Sequence, residues 1–381
     1  MENPPMPEID FEAEGMLEGL EGEAREARLA LLQELAADGV PIEDLREAAA
    51  AGRLVLLPVE RALVGGAGPK YTAREIAERS GVELELLQRS RVALGVSNPD
   101  PDERVLGDDD LDAAERLRAF REAGLPEDGI LQVSRTIGMA TARIAQANRE
   151  LILRTVVQPG DNERDLARRL EAAAKVTLPL VGPVLSYALQ THLLEQIRRD
   201  VIAEADLASG EVRGISELTV CFADLIDFTR LGEQVPADEL GVIAARLEEM
   251  ATAVTQGPVQ LVKMIGDAAM LVSTEPEPLG EAALSLVEAA DAEGKDFPQL
   301  RAGLAHGPVV AQGGDFYGRT VNLASRITQI ARPGSVLATQ EAKKTLGDRF
   351  HYSFAGERRL KGIDDRVRLF RVRRQPKDAE T

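Results

Sequence analysis

TVCFADLIDFTR, residues 219–230, and LVKMIGDAAM, residues 261–270, each carry an apolar strand pattern into a carboxylate. Asp224 follows Val220, Cys221, Phe222 and Ala223, and Asp267 follows Lys263, Met264, Ile265 and Gly266. Hard cations take oxygen ligands, and two acids at strand edges can share them. Two metal ions about 3.5–4 Å apart can clamp the attacking and leaving oxygens of a phosphoryl displacement. The stretch therefore reads as a metal site for nucleotide chemistry, regulated by the first half of the chain.

Around this stretch the pattern alternates. Strands are predicted over 218–225, 259–264, 268–273, 301–306, 309–313, 335–338, 351–354 and 367–372, with helices near 237–255, 279–292, 320–331 and 340–345. That order predicts a ferredoxin-like α/β sheet with helices on one face. Upstream the spacing is helical, as in Leu17, Leu20, Ala24, Leu29, Leu32 and Leu35. Pro41 and Gly52 bracket a second short helix, and residues 64–70 form a loop. Thr72 with Glu75 three residues on is a capping box, and Gly81 separates that helix from another over 84–94. With residues 111–130 this spacing resembles the winged-helix reading head of mercury-resistance-type regulators. A DNA reader needs a basic face, yet residues 71–130 hold 8 Arg and no Lys against 15 acids. They read as a helical regulatory module that shares the architecture. Helices continue over 131–173, broken at Pro159-Gly160-Asp161. Pro183 then opens a helix that runs through Leu185, Leu189 and His192 to Gly210, a mechanical link to the metal strand or a dimer seam.

The fold class is thus α+β. An all-α regulatory domain (1–182) precedes a connecting helix and linker (183–212), the α/β catalytic domain (213–375) and a tail (376–381). Aromatics make up 3% of the 381 residues, with no Trp, which disfavours a base-stacking platform. The net charge of −19 argues against nucleic acid and anionic membrane as partners. Residues 1–210 hold 24 basic and 39 acidic side chains (−15), and the remainder 21 and 25 (−4), so the relief from negative charge lies in the nucleotide half. Cys221, the single cysteine, excludes a disulfide framework and reads as a buried hydrophobe. The acidic N-terminus lacks the basic flank of a signal peptide. The longest apolar run, 176–190, contains Pro179 and Pro183 and falls short of a bilayer span. A cytoplasmic protein with no membrane span is expected.

Five strings then appear in order: FADLIDFT (222–229), VKMIGD (262–267), RAGLAHGPVV (301–310), DFYGRTVNLASR (315–326) and LKG (360–362). Residues 215–373 resemble the catalytic domain of class III nucleotidyl cyclases. The resemblance implies that Asp224 and Asp267 bind two magnesium or manganese ions. Phe228 and Thr229 would cradle the β- and γ-phosphates with backbone N–H groups. Lys263 would donate to adenine N1 and Asp315 would accept from the 6-amino group, a pattern that guanine reverses. Asn322 and Arg326, four apart on one helix face, would hold the ribose and meet charge on the α-phosphate. Lys361 matches a basic residue near the terminal phosphates. In that family the acids come from one subunit and the remaining residues from the other, so a chain with the full set implies a homodimer. GGDF (313–316) lacks the second acid of a diguanylate cyclase signature, and the family position of His306 is structural.

The resemblance implies an adenylyl cyclase, a phosphorus–oxygen lyase turning ATP into 3′,5′-cyclic AMP and pyrophosphate. The chain also resembles mycobacterial soluble cyclases whose N-terminal domain inhibits catalysis and responds to acidity. That implies autoinhibition and activation at mildly acidic pH. His192 on the connecting helix is the candidate sensor, because histidine titrates near physiological pH. Two alternatives stand beside this reading: a small apolar ligand sensed between the N-terminal helices, and a nucleotide-sensing DNA regulator.

Overall fold

The computed structural model describes residues 9–64, 70–199 and 215–375. The chain forms two compact units, Met1–Val201 and Ile202–Thr381.

The first unit is helical: α1 (Gly22–Ala37), α2 (Ile42–Ala50), α3 (Leu57–Val64), α4 (Ala73–Ser80), α5 (Leu84–Ala93), α6 (Asp108–Glu122), α7 (Glu127–Val156) and α8 (Glu163–Arg199). The apolar stripe of α1 buries Leu31, Leu32 and Leu35 against Leu45 and Leu54. Full burial of one such side chain stabilises by about 1.5–3 kcal/mol. The capping box forms: Thr72 Oγ1 accepts from Glu75 N at 3.1 Å, and Thr72 N donates to Glu75 Oε2 at 3.0 Å. Gly81, left-handed at φ 72°, ends α4. α5 and α7 pack into the same core through Leu86, Leu87 and Leu131.

The predicted break at Pro159-Gly160 separates α7 from α8, but Pro183 opens no helix. α8 begins at Glu163 and carries both Pro179 and Pro183 inside it. Each proline lacks one N–H donor and crowds the preceding turn, and the helix continues through both. The expected run from residue 200 to Gly210 lies outside the described residues. By length and composition Glu163–Ile197 could cross a membrane, with a mean hydropathy of 1.4 over its most apolar window. The proline interruption that spoke against a span is therefore no interruption.

The second unit contains β1 (Ile215–Leu225), the single turn α9 (Phe228–Leu231), α10 (Ala237–Ala253), β2 (Gln260–Ile265), β3 (Ala268–Ser273) and α11 (Pro276–Ala292). There follow β4 (Leu300–Gln312), β5 (Asp315–Tyr317), α12 (Arg319–Ile330), β6 (Ser335–Thr339), α13 (Gln340–Leu346), β7 (Phe350–Arg359) and β8 (Arg366–Arg374). The strand order is β2-β3-β1-β4-β6-β8-β7, with β5 paired to β4. β4 and β6 run parallel, and the other pairs are antiparallel.

Helices cover both faces of this sheet, not one. Side chains alternate along β1, so Cys221, Ala223 and Leu225 join α10, α11 and α13 in one core. Val220 and Phe222 join Leu323, Ala324 and Ile327 of α12 in the other. α12 lies close on β4 at Gly303, where a Cβ would stand 2.5 Å from Thr328 Oγ1. The two strands expected over 301–313 are one strand, which passes Pro308 with Gly307 at φ 150°.

Candidate active site

Asp224 is half-buried one residue before the end of β1, where the antiparallel register sets it beside Ala268 on β3 and Arg301 on β4. Asp267 occupies the turn between β2 and β3, after Gly266 at φ 61°. Leu225 N donates to Asp267 O at 3.0 Å, which fastens this turn to the end of β1. The two acids are thereby brought together. Burial pushes the Asp267 carboxyl above its ordinary range, and the negative charge of Asp224 pushes in the same direction; its own backbone N–H and Arg301 oppose the shift.

Sequence reading left Arg301 without a role. Its Nε and Nη2 donate to Asp224 Oδ2 at 3.0 and 2.6 Å, and its Nη1 donates to Gln329 O at 2.8 Å. One guanidinium thus joins a site acid to the C-terminal turn of α12, where carbonyls lack helical partners. The signal lay in the register: the first residue of RAGLAHGPVV pairs directly with Asp224 once β1 and β4 are antiparallel.

Past Asp224 the chain turns at Asp227, the one described non-glycine residue with positive φ, at 59°. This conformation starts α9, with Phe228 packed on the core and Thr229 exposed. Lys263, after an irregularity in edge strand β2, makes an ion pair with Asp315 at the start of β5. Asp315 Oδ1 also accepts from Phe316 N at 2.8 Å. The sheet therefore brings together the two residues expected to read a base, and in this state each satisfies the other. No hydrogen bond or ion pair among the described residues joins this pair to Asp224 or Asp267.

Asn322 is exposed on α12, and Arg326 one turn later donates to Gln329 Oε1 at 3.3 Å. Lys361 is exposed at the β7–β8 turn, beyond β6 from the acids. His192 is exposed on α8. His306 Nδ1 bonds Thr219 Oγ1 at 2.9 Å and its Nε2 lies 3.6 Å from Glu217, a cross-strand strut. Burial pushes the Cys221 thiol up to about 12, so it is no nucleophile near neutral pH.

The donor set at the acids is oxygen only, which suits magnesium or manganese rather than softer metals. Among the described residues no group of three or more His, Cys, Asp or Glu forms a metal cage. A magnesium-type ion uses one or two protein carboxylates and takes its other ligands from phosphate and water. In this structure Arg301 supplies the positive charge beside Asp224.

The family model described as the adenylate cyclase regulatory domain matches residues 9–197, and that of the adenylate and guanylate cyclase catalytic domain matches residues 211–373. The chain is 41% identical over 372 residues to a pH-sensitive adenylate cyclase of Mycobacterium tuberculosis, covering 96% of this chain and 92% of that protein. It is 34% identical over 281 residues to an adenylate cyclase of Streptomyces coelicolor, covering 72% and 71%. Among solved structures, the adenylyl cyclase CyaB of P. aeruginosa is 22% identical, with a TM-score of 0.36, covering 43% of this chain and 97% of that one.

Proposed function

The chain belongs to the class III adenylate cyclases with an N-terminal regulatory domain, and from that premise we propose that it converts ATP to 3′,5′-cyclic AMP and pyrophosphate in the cytoplasm, at two sites shared across a homodimer. The ribose 3′-hydroxyl loses its proton to solvent, its oxygen attacks the α-phosphorus, the bond to the β-phosphate oxygen breaks, and pyrophosphate departs. Two divalent ions, when bound, lower the pKa of the 3′-hydroxyl and balance the triphosphate charge. Asp224 and Asp267 would hold them, with Arg301 beside Asp224. Lys263 and Asp315 exchange each other for adenine N1 and the 6-amino group. Asn322 positions the ribose, and Arg326 meets charge on the α-phosphate, where one well-placed donor is worth about 3–4 kcal/mol. The backbone at Phe228 and Thr229, with Lys361, steadies the terminal phosphates.

The observation that carries this reading is the paired state of the two residue sets. Asp224 with Asp267 and Lys263 with Asp315 each form within one chain, and among the described residues no hydrogen bond or ion pair joins the two sets, which supports a site completed by a second copy. Exposed Leu180, Val184, Tyr187 and Leu194 along α8 offer an apolar face to that copy. The regulatory unit restrains the catalytic unit, and mild acid releases it with His192 as sensor. No observation here favours the apolar-ligand or DNA-regulator alternatives.

The test is cyclic AMP formation from ATP and Mn2+ by the full chain, by Asp224→Ala and by residues 211–381, from pH 6 to pH 8. Turnover that disappears in Asp224→Ala supports the site. A fragment more active than the full chain supports restraint. Equal turnover by wild type and Asp224→Ala removes the reading.

A further inference from the structure

Ser335 opens β6 beside Arg301, and on its other flank β6 pairs with β8, Val336 with Val372 and Leu337 with Arg371. A cleft of about 390 Å³ lies at this end of the sheet, walled by α11, the turn before β6 and the last residues of β8. Its lining carries four arginines, Arg332, Arg371, Arg373 and Arg374, and two acids, Glu288 and Asp291. Four minus two leaves a formal +2, in a chain whose net charge is −19.

Both acids are already engaged. Arg374 Nε donates to Glu288 Oε1 at 2.9 Å, and Gln299 Nε2 donates to Asp291 Oδ1 at 3.2 Å. The side chains of Arg332, Arg371 and Arg373 have no hydrogen-bond or ion-pair partner among the described residues. Arg371 Nε is moreover shut off from solvent with no acceptor. A buried N–H without a partner is rare in a folded protein and asks for an explanation, a bound water or ion among them. Gly334, at φ 64°, brings the turn close to α11: a Cβ there would stand 3.3 Å from Asp291 Oδ2.

We propose that this cleft is a second anion site, apart from the catalytic acids, which takes a phosphate-bearing dianion between Arg332, Arg371 and Arg373. Guanidinium forks match phosphate oxygens two at a time, which an ammonium cannot do. The shared chemistry has two sources: pyrophosphate leaving the acids at the same end of the sheet, and a nucleotide arriving from solution.

Calorimetric titration of the full chain in EDTA tests this, because the catalytic acids then hold no cation. Pyrophosphate, ATP and sulfate are the probes. Pyrophosphate should bind once per chain, at least tenfold more weakly in Arg371→Gln/Arg373→Gln and severalfold more weakly in Arg332→Gln. Arg326→Ala should bind as wild type does. Arg332→Gln lies in an exposed turn and guards against a misfolded double variant; its melting midpoint should match that of wild type. A loss confined to pyrophosphate assigns the product as the source, and an equal loss for ATP assigns phosphate chains in general. Sulfate binding as tightly as pyrophosphate, wild-type binding absent at millimolar pyrophosphate, or binding unaltered in both arginine variants overturns the proposal. Since the experiment involves no turnover, it stands or falls separately from the cyclase reading.

Discussion

Asp267→Asn should make the protein more stable when divalent cations are absent and less stable than wild type when they are present. Asp267 is held in a partly desolvated turn beside the negative charge of Asp224, and both effects raise its carboxyl pKa in the folded state. A folded-state pKa above the unfolded value of about 3.9 means that the native chain binds protons more readily than the unfolded one. Near neutral pH the ionised group therefore costs stability, and the cost fades as pH falls through the raised folded value. The neutral amide removes it at all pH values. Removing an unfavourable charge by one stabilising substitution commonly yields on the order of 1 kcal/mol. In a unit of this size that raises the melting midpoint by about 2–4 °C. With a divalent ion at a hundred times its dissociation constant, wild type gains about 2.7 kcal/mol that the variant forgoes. Wild type then leads by about 2.7 − 1, or roughly 1.7 kcal/mol. Melting of the full chain by circular dichroism, in EDTA and in saturating Mn2+, reads both terms. In EDTA the lead of the variant should shrink as pH is lowered from 7 towards 5. If the order of the two proteins does not reverse on adding Mn2+, the two acids do not form a joint cation site.

Asp224→Ala and Arg326→Ala should each lose at least about a hundredfold in turnover, as expected for removal of a transition-state contact, yet an equal mixture that has exchanged subunits should recover about a quarter of the wild-type sites. No recovery after exchange would place a complete site within one chain. Lys263→Met removes a charge-assisted hydrogen bond worth about 1.5–3 kcal/mol, so kcat/KM for ATP should fall about 10–150-fold, while GTP use falls less; equal losses for the two nucleotides would deny the pair a role in base choice. Arg301→Gln should leave Asp224 without its guanidinium and weaken the tie to Gln329, seen as a lower melting midpoint in EDTA; an unchanged midpoint would make the ion pair incidental. His192→Ala should flatten the ratio of activity at pH 6 to that at pH 8, and an unchanged ratio would exclude His192 as the sensor.

What the sequence could disclose divides along the range of the interactions. The Thr72 capping box closes over three residues, and both of its hydrogen bonds form as read. The alternation along β1 likewise lies in neighbouring residues. The second face of the sheet does not: α12 reaches it because Gly303 admits Thr328, a contact between residues 25 apart in sequence. Local proline chemistry pointed to a helix start at Pro183, whereas the helix around it extends from Glu163 to Arg199 and absorbs two missing donors. The site follows the same rule. Asp224, Lys263 and Asp315 stand in strings legible one at a time, but Arg301 gains meaning only when β4 is laid antiparallel to β1. Its guanidinium spans Asp224 and Gln329 O, and Arg326 leans on the side chain of that same Gln329. A cation that draws Asp224 away from Arg301 must therefore also alter what secures the end of α12. In the proposed dimer, the helix that carries Asn322 and Arg326 would thus be tied to the acids of its own chain while those two residues served the partner's site.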